Sequence, residues 1–275
     1  MPEGDTVWLT AHRLHKALAG RELTTSDFRV PTLATADLRG RGVSEVLARG
    51  KHILTRIDAA GDSPALTLHS HLRMDGSYYL SAVGNPRPRR HPDHMIRVLL
   101  GNDEWLATGY RIHDLTLVAR EREGEFVDHL GPDLLGPDWD VHRAVANLRR
   151  EPDLTIGEAL LDQRNLAGVG NMYKAEVLFM TRVHPWTRVD EVADLDAVVE
   201  MSRRVLLMNR DHPEQSTTGY TQRGREHWVY ERGGQPCLRC RTRIQRREQG
   251  VPPRQRGTYW CPSCQPAPAR EGRSV

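Results

Sequence analysis

The first twenty residues of the chain carry apolar side chains at helical spacing. Gly20 follows the last of them, and glycine is a common residue just beyond a helix C-terminus. The pattern therefore predicts a helix over residues 5–19, so the chain leads from its first residues directly into a helix N-terminus. The apolar positions are Val7, Ala11, Leu14, Ala17 and Leu18.

From about residue 21 to residue 122 the pattern changes to short runs of β-forming residues, separated by glycine, aspartate and proline. Several short strands without helices between them are typical of an antiparallel sandwich or barrel. The segment 84–92, rich in proline and arginine, predicts an exposed loop. The predicted strands are 52–57, 65–69, 77–80, 95–100 and 115–119.

The segment 131–138 contains two Gly-Pro-Asp units, which oppose both helix and strand and therefore predict a linker between domains. Beyond it the helical pattern returns. Thr155 and Glu158 carry the sequence signature of a capping box that opens one helix. Further helices are predicted over 172–180 and 194–209.

All four cysteines lie near the C-terminal end, as two Cys-x-x-Cys pairs separated by twenty residues. Zn²⁺ binds four tetrahedral thiolate or imidazole ligands, and each pair can offer two sulfurs to one ion. The alternative is two disulfides, which would need an oxidising compartment, whereas no apolar signal segment opens the sequence. We expect one structural zinc ion held by Cys237, Cys240, Cys261 and Cys264.

A length of 275 residues allows two domains, and the 27% of charged and 38% of hydrophobic residues are typical of a globular protein. No stretch approaches the roughly eighteen apolar residues of a membrane span, so we expect a cytoplasmic protein without a membrane partner. The net charge is only +3, yet ten arginines and three glutamates lie between residues 222 and 256. Such a basic segment suits phosphate binding; the alternative is a solvated surface in a chain with 36 arginines and three lysines.

Two local motifs suggest chemistry. Gly168-Val-Gly170-Asn171 places two glycines and an amide where a helix begins, and this backbone could bind a phosphate or simply form a turn between packed helices. At the other end of the chain, removal of Met1 would expose Pro2 as a secondary amine, which can attack a carbonyl-like carbon and form a cationic iminium. Glu3 beside it could act as a general acid. The alternative is a Met-Pro start without a catalytic role.

Five motifs occur together in the chain: Met1-Pro2-Glu3-Gly4, Gly50-Lys51-His52, His71-Leu-Arg-Met-Asp-Gly76, Leu160-Leu-Asp-Gln163 leading to Gly168-Val-Gly-Asn-Met-Tyr173 with Glu176, and Arg256-Gly-Thr-Tyr-Trp-Cys-Pro-Ser-Cys-Gln265. Their order and spacing resemble those of the formamidopyrimidine-DNA glycosylase and endonuclease VIII family of base-excision repair enzymes. The likeness extends from residue 1 to residue 265. It implies an N-terminal β-sandwich, a helix–two-turn–helix domain and a zinc finger, with damaged DNA in the cleft between them.

The resemblance implies chemistry for three residues of the first domain. Pro2 matches the nucleophile that forms a Schiff base at C1′ of the damaged nucleotide, and Glu3 matches the acid that protonates the sugar ring oxygen. Lys51 matches the lysine of a β-turn that contacts phosphate and assists catalysis. Lysine is rare in this chain, which favours a specific need at this position over a surface role.

The resemblance also implies DNA contacts. Asn171 matches the phosphate-binding asparagine of the two-turn motif, whose turn contains Gly168 and Gly170. Arg256 matches the zinc-finger arginine that holds the phosphates flanking the lesion and so supports catalysis. Met74 matches the residue that fills the gap left by the flipped base. The alternative for Met74 is a methionine of the core.

The chain departs from the family pattern in two places. Thr6 stands where many members carry a second glutamate, so the contribution of that carboxylate is absent or relocated. Residues 107–114 read Ala-Thr-Gly-Tyr-Arg-Ile-His-Asp, whereas the formamidopyrimidine branch has Asp-Pro-Arg-Arg-Phe-Gly in this region. The arginine and phenylalanine of that branch are therefore missing, and Tyr110 or Arg111 could substitute for them. The chain is nearer to endonuclease VIII.

We therefore expect an α+β protein with DNA glycosylase and AP lyase activity, which removes oxidised bases, mainly pyrimidines, and nicks the strand by β,δ-elimination. Two alternatives stay open: an 8-oxoguanine and formamidopyrimidine glycosylase, and a non-catalytic damaged-DNA-binding paralogue. The expected partner is damaged double-stranded DNA, or single-stranded or forked DNA, bound by a nucleoid-associated bacterial monomer without a nucleotide cofactor. The predicted domains are a β-sandwich with a leading helix (1–130), a linker (131–138), a helix–two-turn–helix domain (139–221), a zinc finger (222–265) and a disordered tail (266–275).

Overall fold

The computed structural model describes residues 2–85 and 92–268, which fall into two compact units divided after His129. The predicted loop 84–92 and the predicted tail 266–275 lie largely outside the described residues. In the described part of the chain, no helix is long and apolar enough to cross a membrane.

The first unit is the antiparallel β-sandwich with a leading helix that the sequence predicts. Its helices are α1 (Gly4–Leu18) and α2 (Gly124–Val127), its 3-10 turns are Pro31–Leu33, Asp93–Met95 and Arg120–Arg122, and its strands are β1 (Arg21–Glu22), β2 (Thr25–Phe28), β3 (Gly42–Arg49), β4 (His52–Ile57), β5 (Leu66–His71), β6 (Ser77–Ala82), β7 (Ile96–Gly101), β8 (Trp105–Tyr110) and β9 (Asp114–Ala119). One sheet has the order β1-β3-β4-β5-β9 and the other the order β2-β7-β8-β6. Both sheets and α1 contribute to one apolar core.

Helix α1 matches the prediction to within one residue at each end and buries Val7, Leu14 and Leu18 in the core. Strand β4 has the predicted bounds. The apolar pattern did not reveal β1, β2, β3 and β8. In β3 the reason is visible, because a register shift between Val43 and Glu45 breaks the alternation of inward and outward residues.

The segment after β9 contacts residues on the outer face of the five-stranded sheet. Arg56 of β4 donates to Glu123 at 2.5 Å and to Glu45 at 2.7 Å, and the hydroxyl of Thr67 donates to Glu123 at 2.7 Å. Polar strand positions on this face therefore find hydrogen-bond partners within the unit.

The second unit is helical and carries a β-hairpin. Its helices are α3 (Val141–Leu148), α4 (Ile156–Ala159), α5 (Asn171–Met180) and α6 (Leu195–Asn209), with a 3-10 turn at Val189–Glu191, and its strands are β10 (Gln245–Gln249) and β11 (Arg256–Trp260). Helix α5 is central, since residues 171–179 are all buried. A helix buried on every side fits the weak amphipathic pattern of its sequence.

Two details of the second unit differ from the sequence predictions. The predicted linker 131–138 is integrated into the folded unit: Leu134 is fully buried in its core, and its N–H donates to the carbonyl of Ala167 at 3.1 Å. The predicted capping box is wrong, because the hydroxyl of Thr155 donates to the Glu158 carboxylate at 2.5 Å and caps no backbone N–H.

Histidines cluster at one end of the five-stranded sheet. His52 Nδ1 lies 2.8 Å from His69 Nε2, the ring of His52 lies 4.9 Å from that of His71 and 6.4 Å from that of His129, and Phe126 stacks on His69. Burial lowers the pKa of His52 to about 3, with the neighbouring histidines adding to the shift, and burial lowers the pKa of His69 to about 4. Both rings are therefore neutral at physiological pH.

This cluster predicts a loss of stability in mild acid. An unfolded histidine takes up a proton near pH 6.5, whereas His52 and His69 stay neutral in the folded protein down to about pH 4. The unfolded state therefore binds more protons between these values, and the free energy of unfolding should fall as pH falls from 6.5, by up to about 1.4 kcal/mol per pH unit for each histidine. Urea unfolding at pH 7.5 and pH 5.0 measures this, and His69→Gln should flatten the dependence. The exposed His94→Gln is the control, and an unchanged pH dependence in His69→Gln would contradict the prediction.

Candidate active site and nucleic-acid interface

The first residues of the chain lie at the N-terminus of α1. Glu3 is the N-cap residue, its side chain is fully buried, and its backbone carbonyl accepts the N–H of Val7 at 3.0 Å. Pro2 precedes it and is half-buried. The carboxyl group of Glu3 is therefore shielded from water at the N-terminus of α1.

Helix α1 runs antiparallel to β3, and this direction places the start of the chain. The N–H of Gly20 donates to Val43 at the beginning of β3, whereas the N–H of Val46, further along the strand, donates to His15 Nδ1 at 3.1 Å. Advancing along β3 therefore means moving back along α1. Pro2 and Glu3 consequently lie toward the end of the sheet at which β3 terminates.

Lys51 lies in the tight turn at that end of the sheet. Arg49 and His52 are paired across β3 and β4, so Gly50 and Lys51 form a two-residue hairpin loop. Gly50 has a φ of +58°, which the first position of such a turn requires and a side chain would oppose. Lys51 itself is half-buried.

Strand β5 ends beside the Lys51 turn, because His71 pairs with His52. Burial lowers the pKa of His71, and the charge of Lys51 contributes to the shift. The loop that follows β5 contains Met74, which is 66% exposed. Met74 is therefore a surface residue at the same end of the sheet as Lys51, and the interpretation of a core methionine is wrong.

Two ion pairs connect the loop that carries Met74 to the start of β9 and to the loop before it. Arg73 donates to both oxygens of Asp114, at 2.5 and 2.7 Å, and these bonds lower the pKa of Asp114. Arg111 Nη1 lies 3.6 Å from Asp75 Oδ2. Tyr110, by contrast, is buried with only 2% exposure, so of the two residues considered as substitutes for the missing wedge pair, Arg111 alone reaches the surface.

The glycine-rich turn of the second unit is held by a side chain to which the sequence analysis gave no role. Gln163 accepts the N–H of Gly168 at 2.9 Å and donates to the carbonyl of Val169 at 2.9 Å. Gly168 has a φ of +118°, which a side chain would strain, and Gly170 is the N-cap residue of α5. In the sequence, this role of Gln163 was indicated only by its place in the motif that leads to the glycine-rich turn.

Asn171 and Arg256 are joined through the backbone of the hairpin. Asn171 is the first residue of α5, and its side-chain Nδ2 donates to the carbonyl of Gly257 at 2.9 Å. Arg256, the preceding residue, begins β11 with an exposed side chain. The structure therefore brings together Asn171, Arg256 and the turn at Gly168 and Gly170, and so places an amide and a guanidinium beside the N-terminus of α5.

The four cysteines converge as the zinc prediction requires. One sulfur from each of Cys237, Cys240, Cys261 and Cys264 lies within 4.8 Å of the other three. A tetrahedral Zn–S₄ centre with bonds of about 2.3 Å needs sulfurs roughly this close, so the donor set fits one structural zinc ion. Because four protein ligands complete the coordination, the metal organises the hairpin and leaves no open position for a substrate.

Comparison with known families divides the chain into three matching regions. Residues 1–113 match the formamidopyrimidine-DNA glycosylase N-terminal domain, residues 130–210 match the formamidopyrimidine-DNA glycosylase H2TH domain, and residues 234–267 match the zinc finger found in FPG and IleRS. The last match agrees with the cysteine cluster. The helix–two-turn–helix and zinc-finger predictions are confirmed.

Several relatives match along their full length. The chain is 53% identical to the probable endonuclease 8 2 of Streptomyces coelicolor, over 100% of this chain and 98% of the relative. It is 47% identical to endonuclease 8 2 of Mycobacterium tuberculosis, over 96% of this chain and 100% of the relative. It is 43% identical to the DNA-(apurinic or apyrimidinic site) lyase Nei2 of Mycolicibacterium smegmatis, over 97% of this chain and 100% of the relative.

The fold also agrees with solved structures. Lactococcus lactis formamidopyrimidine-DNA glycosylase, crystallised with DNA containing an abasic site, superposes with a TM-score of 0.77 at 23% identity, over 97% of this chain and 100% of that one. At that identity the likeness concerns the fold. The sequence identity to the endonuclease 8 2 proteins carries the assignment: the chain belongs to the formamidopyrimidine-DNA glycosylase and endonuclease VIII family of DNA repair enzymes, on its endonuclease 8 2 side.

Proposed function

We propose that the protein is a bifunctional DNA glycosylase and AP lyase of base-excision repair, with Pro2 as the nucleophile. The observation that carries this proposal is the start of the chain, where Pro2 directly precedes the fully buried Glu3 at the N-terminus of α1. The names of the relatives support the activity, since one of them is an apurinic or apyrimidinic site lyase and others are endonuclease 8 proteins.

In this proposal Pro2 and Glu3 divide the first chemical step. After removal of Met1, the Pro2 nitrogen forms a bond to C1′ while the bond from C1′ to the damaged base breaks, and the proton lost from the amine balances the one that the departing base takes up. Glu3 then protonates the sugar ring oxygen, so the C1′–O bond breaks and the ring opens to the iminium. The resulting iminium withdraws electrons from C2′. Loss of a C2′ proton then breaks the 3′ C–O bond, and a second elimination breaks the 5′ C–O bond, so both phosphates leave the sugar.

The phosphates of the damaged strand are the ligands that the remaining residues suit. Lys51 offers a compact ammonium at the hairpin turn, and Arg256 offers a planar guanidinium. Asn171 adds a side-chain amide at the N-terminus of α5, directly after the glycine turn. A non-catalytic DNA-binding paralogue would need these phosphate contacts but not Pro2 and Glu3 together. Their joint presence favours the enzyme.

The nucleophile is tested by trapping. Borohydride should reduce the iminium between Pro2 and an abasic-site duplex to a stable covalent adduct at the N-terminus, and Pro2→Gly should weaken trapping. Glu3→Gln should slow base removal by about 100-fold or more, the usual contribution of a general acid, while retaining more activity on preformed abasic sites, whose base has already gone. Mass spectrometry of the adduct and gel assays of strand cleavage measure these effects.

The exposed Glu22→Gln is the matched control for the charge removed at Glu3 and should behave as the unaltered protein. An adduct that maps to Lys51 would overturn the assignment of Pro2. Absence of any strand cleavage on abasic-site DNA would favour the non-catalytic paralogue.

Zinc should matter through Arg256, which lies five residues before Cys261 on a strand that the metal holds in place. Cys261→Ala should lose zinc and lower affinity for abasic-site DNA and lyase activity together, by about tenfold or more, as loss of an orienting contact typically does. Elemental analysis and DNA titration measure both. Ser263→Ala, an exposed change in the same Cys-x-x-Cys segment, should keep both properties. Fully active protein without zinc would refute this role.

The lesion preference should favour oxidised pyrimidines. Met74 is the exposed apolar residue of its loop, Tyr110 is buried, and Arg111 is paired with Asp75, so few groups are offered to the opposite base. Thymine glycol and 5-hydroxyuracil should be excised about tenfold faster than 8-oxoguanine paired with cytosine, which requires only about 1.4 kcal/mol of differential transition-state binding. Single-turnover rates on matched duplexes measure this. Faster excision of 8-oxoguanine than of every pyrimidine lesion tested would show that the enzyme belongs functionally to the formamidopyrimidine branch.

A further inference from the structure

A chain of buried polar side chains joins α5 to the zinc hairpin. Lys174 Nζ donates to the hydroxyl of Thr258 at 2.6 Å, and that hydroxyl donates to Gln249 Oε1 at 3.0 Å. Lys174 and Thr258 have no exposed surface, and Gln249 has 4%. These contacts link the central helix to both strands of the hairpin, β10 and β11.

The chain continues from the hairpin to α4. Gln249 Nε2 donates to the carbonyl of Pro185 at 2.8 Å and to the hydroxyl of Thr155 at 2.9 Å, and Thr155 donates to Glu158 at 2.5 Å. The network begins at the ammonium of Lys174, which can only donate, and ends at the carboxylate of Glu158, which can only accept. These two groups therefore fix the direction of every hydrogen bond between them. The side chains between the two ends therefore have one arrangement of protons that satisfies all these bonds.

The close approach of Gln249 depends on a glycine. A Cβ atom at Gly157 would lie 2.5 Å from Gln249 Oε1 and 2.7 Å from its Nε2. Gln249 therefore occupies space that any other residue at position 157 would fill. The hydrogen-bond network therefore depends on the absence of a side chain at Gly157 of α4 as well as on the polar side chains that form the bonds.

The network ends beside the groups proposed to bind phosphate. Thr258 lies two residues after Arg256, on the same face of β11, and Lys174 lies one helical turn after Asn171 on α5. Between them, Asn171 Nδ2 donates to the carbonyl of Gly257. Hydrogen bonds thus fix the start of β11 to the start of α5 at two successive positions.

Burying an ammonium is costly, and an apolar side chain would fill the same volume at less expense in desolvation. Only three of the 39 basic residues in this chain are lysines. An ammonium is compact and directs three donors, whereas a guanidinium is larger and planar. These facts favour a specific task for Lys174 over a general contribution to packing.

We propose that Lys174 is a positioning residue, which acts through Thr258 and Gln249 to hold Arg256 and Asn171 at the fixed separation that phosphate binding requires. The inference rests on the proposed function, because it takes Arg256 as a phosphate contact. Lys174 itself, being fully buried, contacts no phosphate.

The test uses the full-length, zinc-loaded protein and a duplex that contains a tetrahydrofuran abasic-site analogue. Lys174→Met and Thr258→Val should each weaken binding by about tenfold, since a misplaced guanidinium loses a charge-assisted hydrogen bond to phosphate. Thr258→Ser keeps the hydroxyl and should bind as the unaltered protein does. Lys16→Met removes an exposed positive charge from α1 and is the control for net charge.

The decisive measurement is the double variant with Arg256→Ala. If Lys174 acts through Arg256, the loss caused by Lys174→Met should become smaller once Arg256 is absent, with only the part transmitted through Asn171 remaining, so the two effects will not add. Fully additive losses would overturn the inference while leaving the proposed function intact. If Arg256→Ala alone binds normally, the role of Arg256 in the proposed function is wrong. Should Lys174→Met fail to fold or to hold zinc, the comparison of Thr258→Val with Thr258→Ser decides, and equal affinities of those two would refute the proposal.

Discussion

The carboxyl group of Glu176 holds the approach to the zinc hairpin against the central helix of the second unit. It is fully buried and accepts the backbone N–H groups of Trp228, Val229 and Tyr230 at 2.8 to 2.9 Å, together with the hydroxyl of Thr217. A buried carboxylate is costly unless its oxygens accept hydrogen bonds. Three successive N–H groups can converge on it only if the chain follows one path, so this contact fixes where the hairpin begins.

Zinc and Glu176 constrain different parts of the structure. Four thiolates fix the two Cys-x-x-Cys segments relative to each other, but they do not determine where the hairpin lies on the helices. Glu176 fixes the hairpin on the helices at its N-terminal end, and Gln265 does so at its C-terminal end. Gln265 accepts the N–H of Cys261 at 3.0 Å and donates to the carbonyl of Val183 at 2.8 Å. The metal therefore stabilises a hairpin whose placement depends on buried polar contacts to α5 and to the segment that follows it.

The parts of the molecule that depend on local spacing were predictable from the sequence. Helix α1 followed from its apolar period, and the zinc site followed from the cysteine spacing. The contact of Lys174 with Thr258 joins residues 84 positions apart, and that of His52 with His69 joins residues 17 apart. Apolar periodicity reports which positions are buried, but a buried polar side chain takes its partner from tertiary packing, which no local pattern encodes. The capping-box error at Thr155 has the same origin, since its hydroxyl is engaged with Glu158 and Gln249.

Directional hydrogen bonds explain why the hairpin is attached in this way. Apolar surfaces tolerate small sliding movements, because dispersion and the hydrophobic effect depend little on orientation. A chain of donors and acceptors with a cation at one end and an anion at the other is satisfied in one register only, and a shift leaves buried groups unpaired. Such a register would suit the role proposed for β11, which is to present the guanidinium of Arg256 to a phosphate at a fixed place. In the proposed arrangement, the desolvation of Lys174 and Glu176 is offset by the fixed position that their hydrogen bonds give to the hairpin that carries Arg256. Both residues lie on α5, the helix that begins with Asn171.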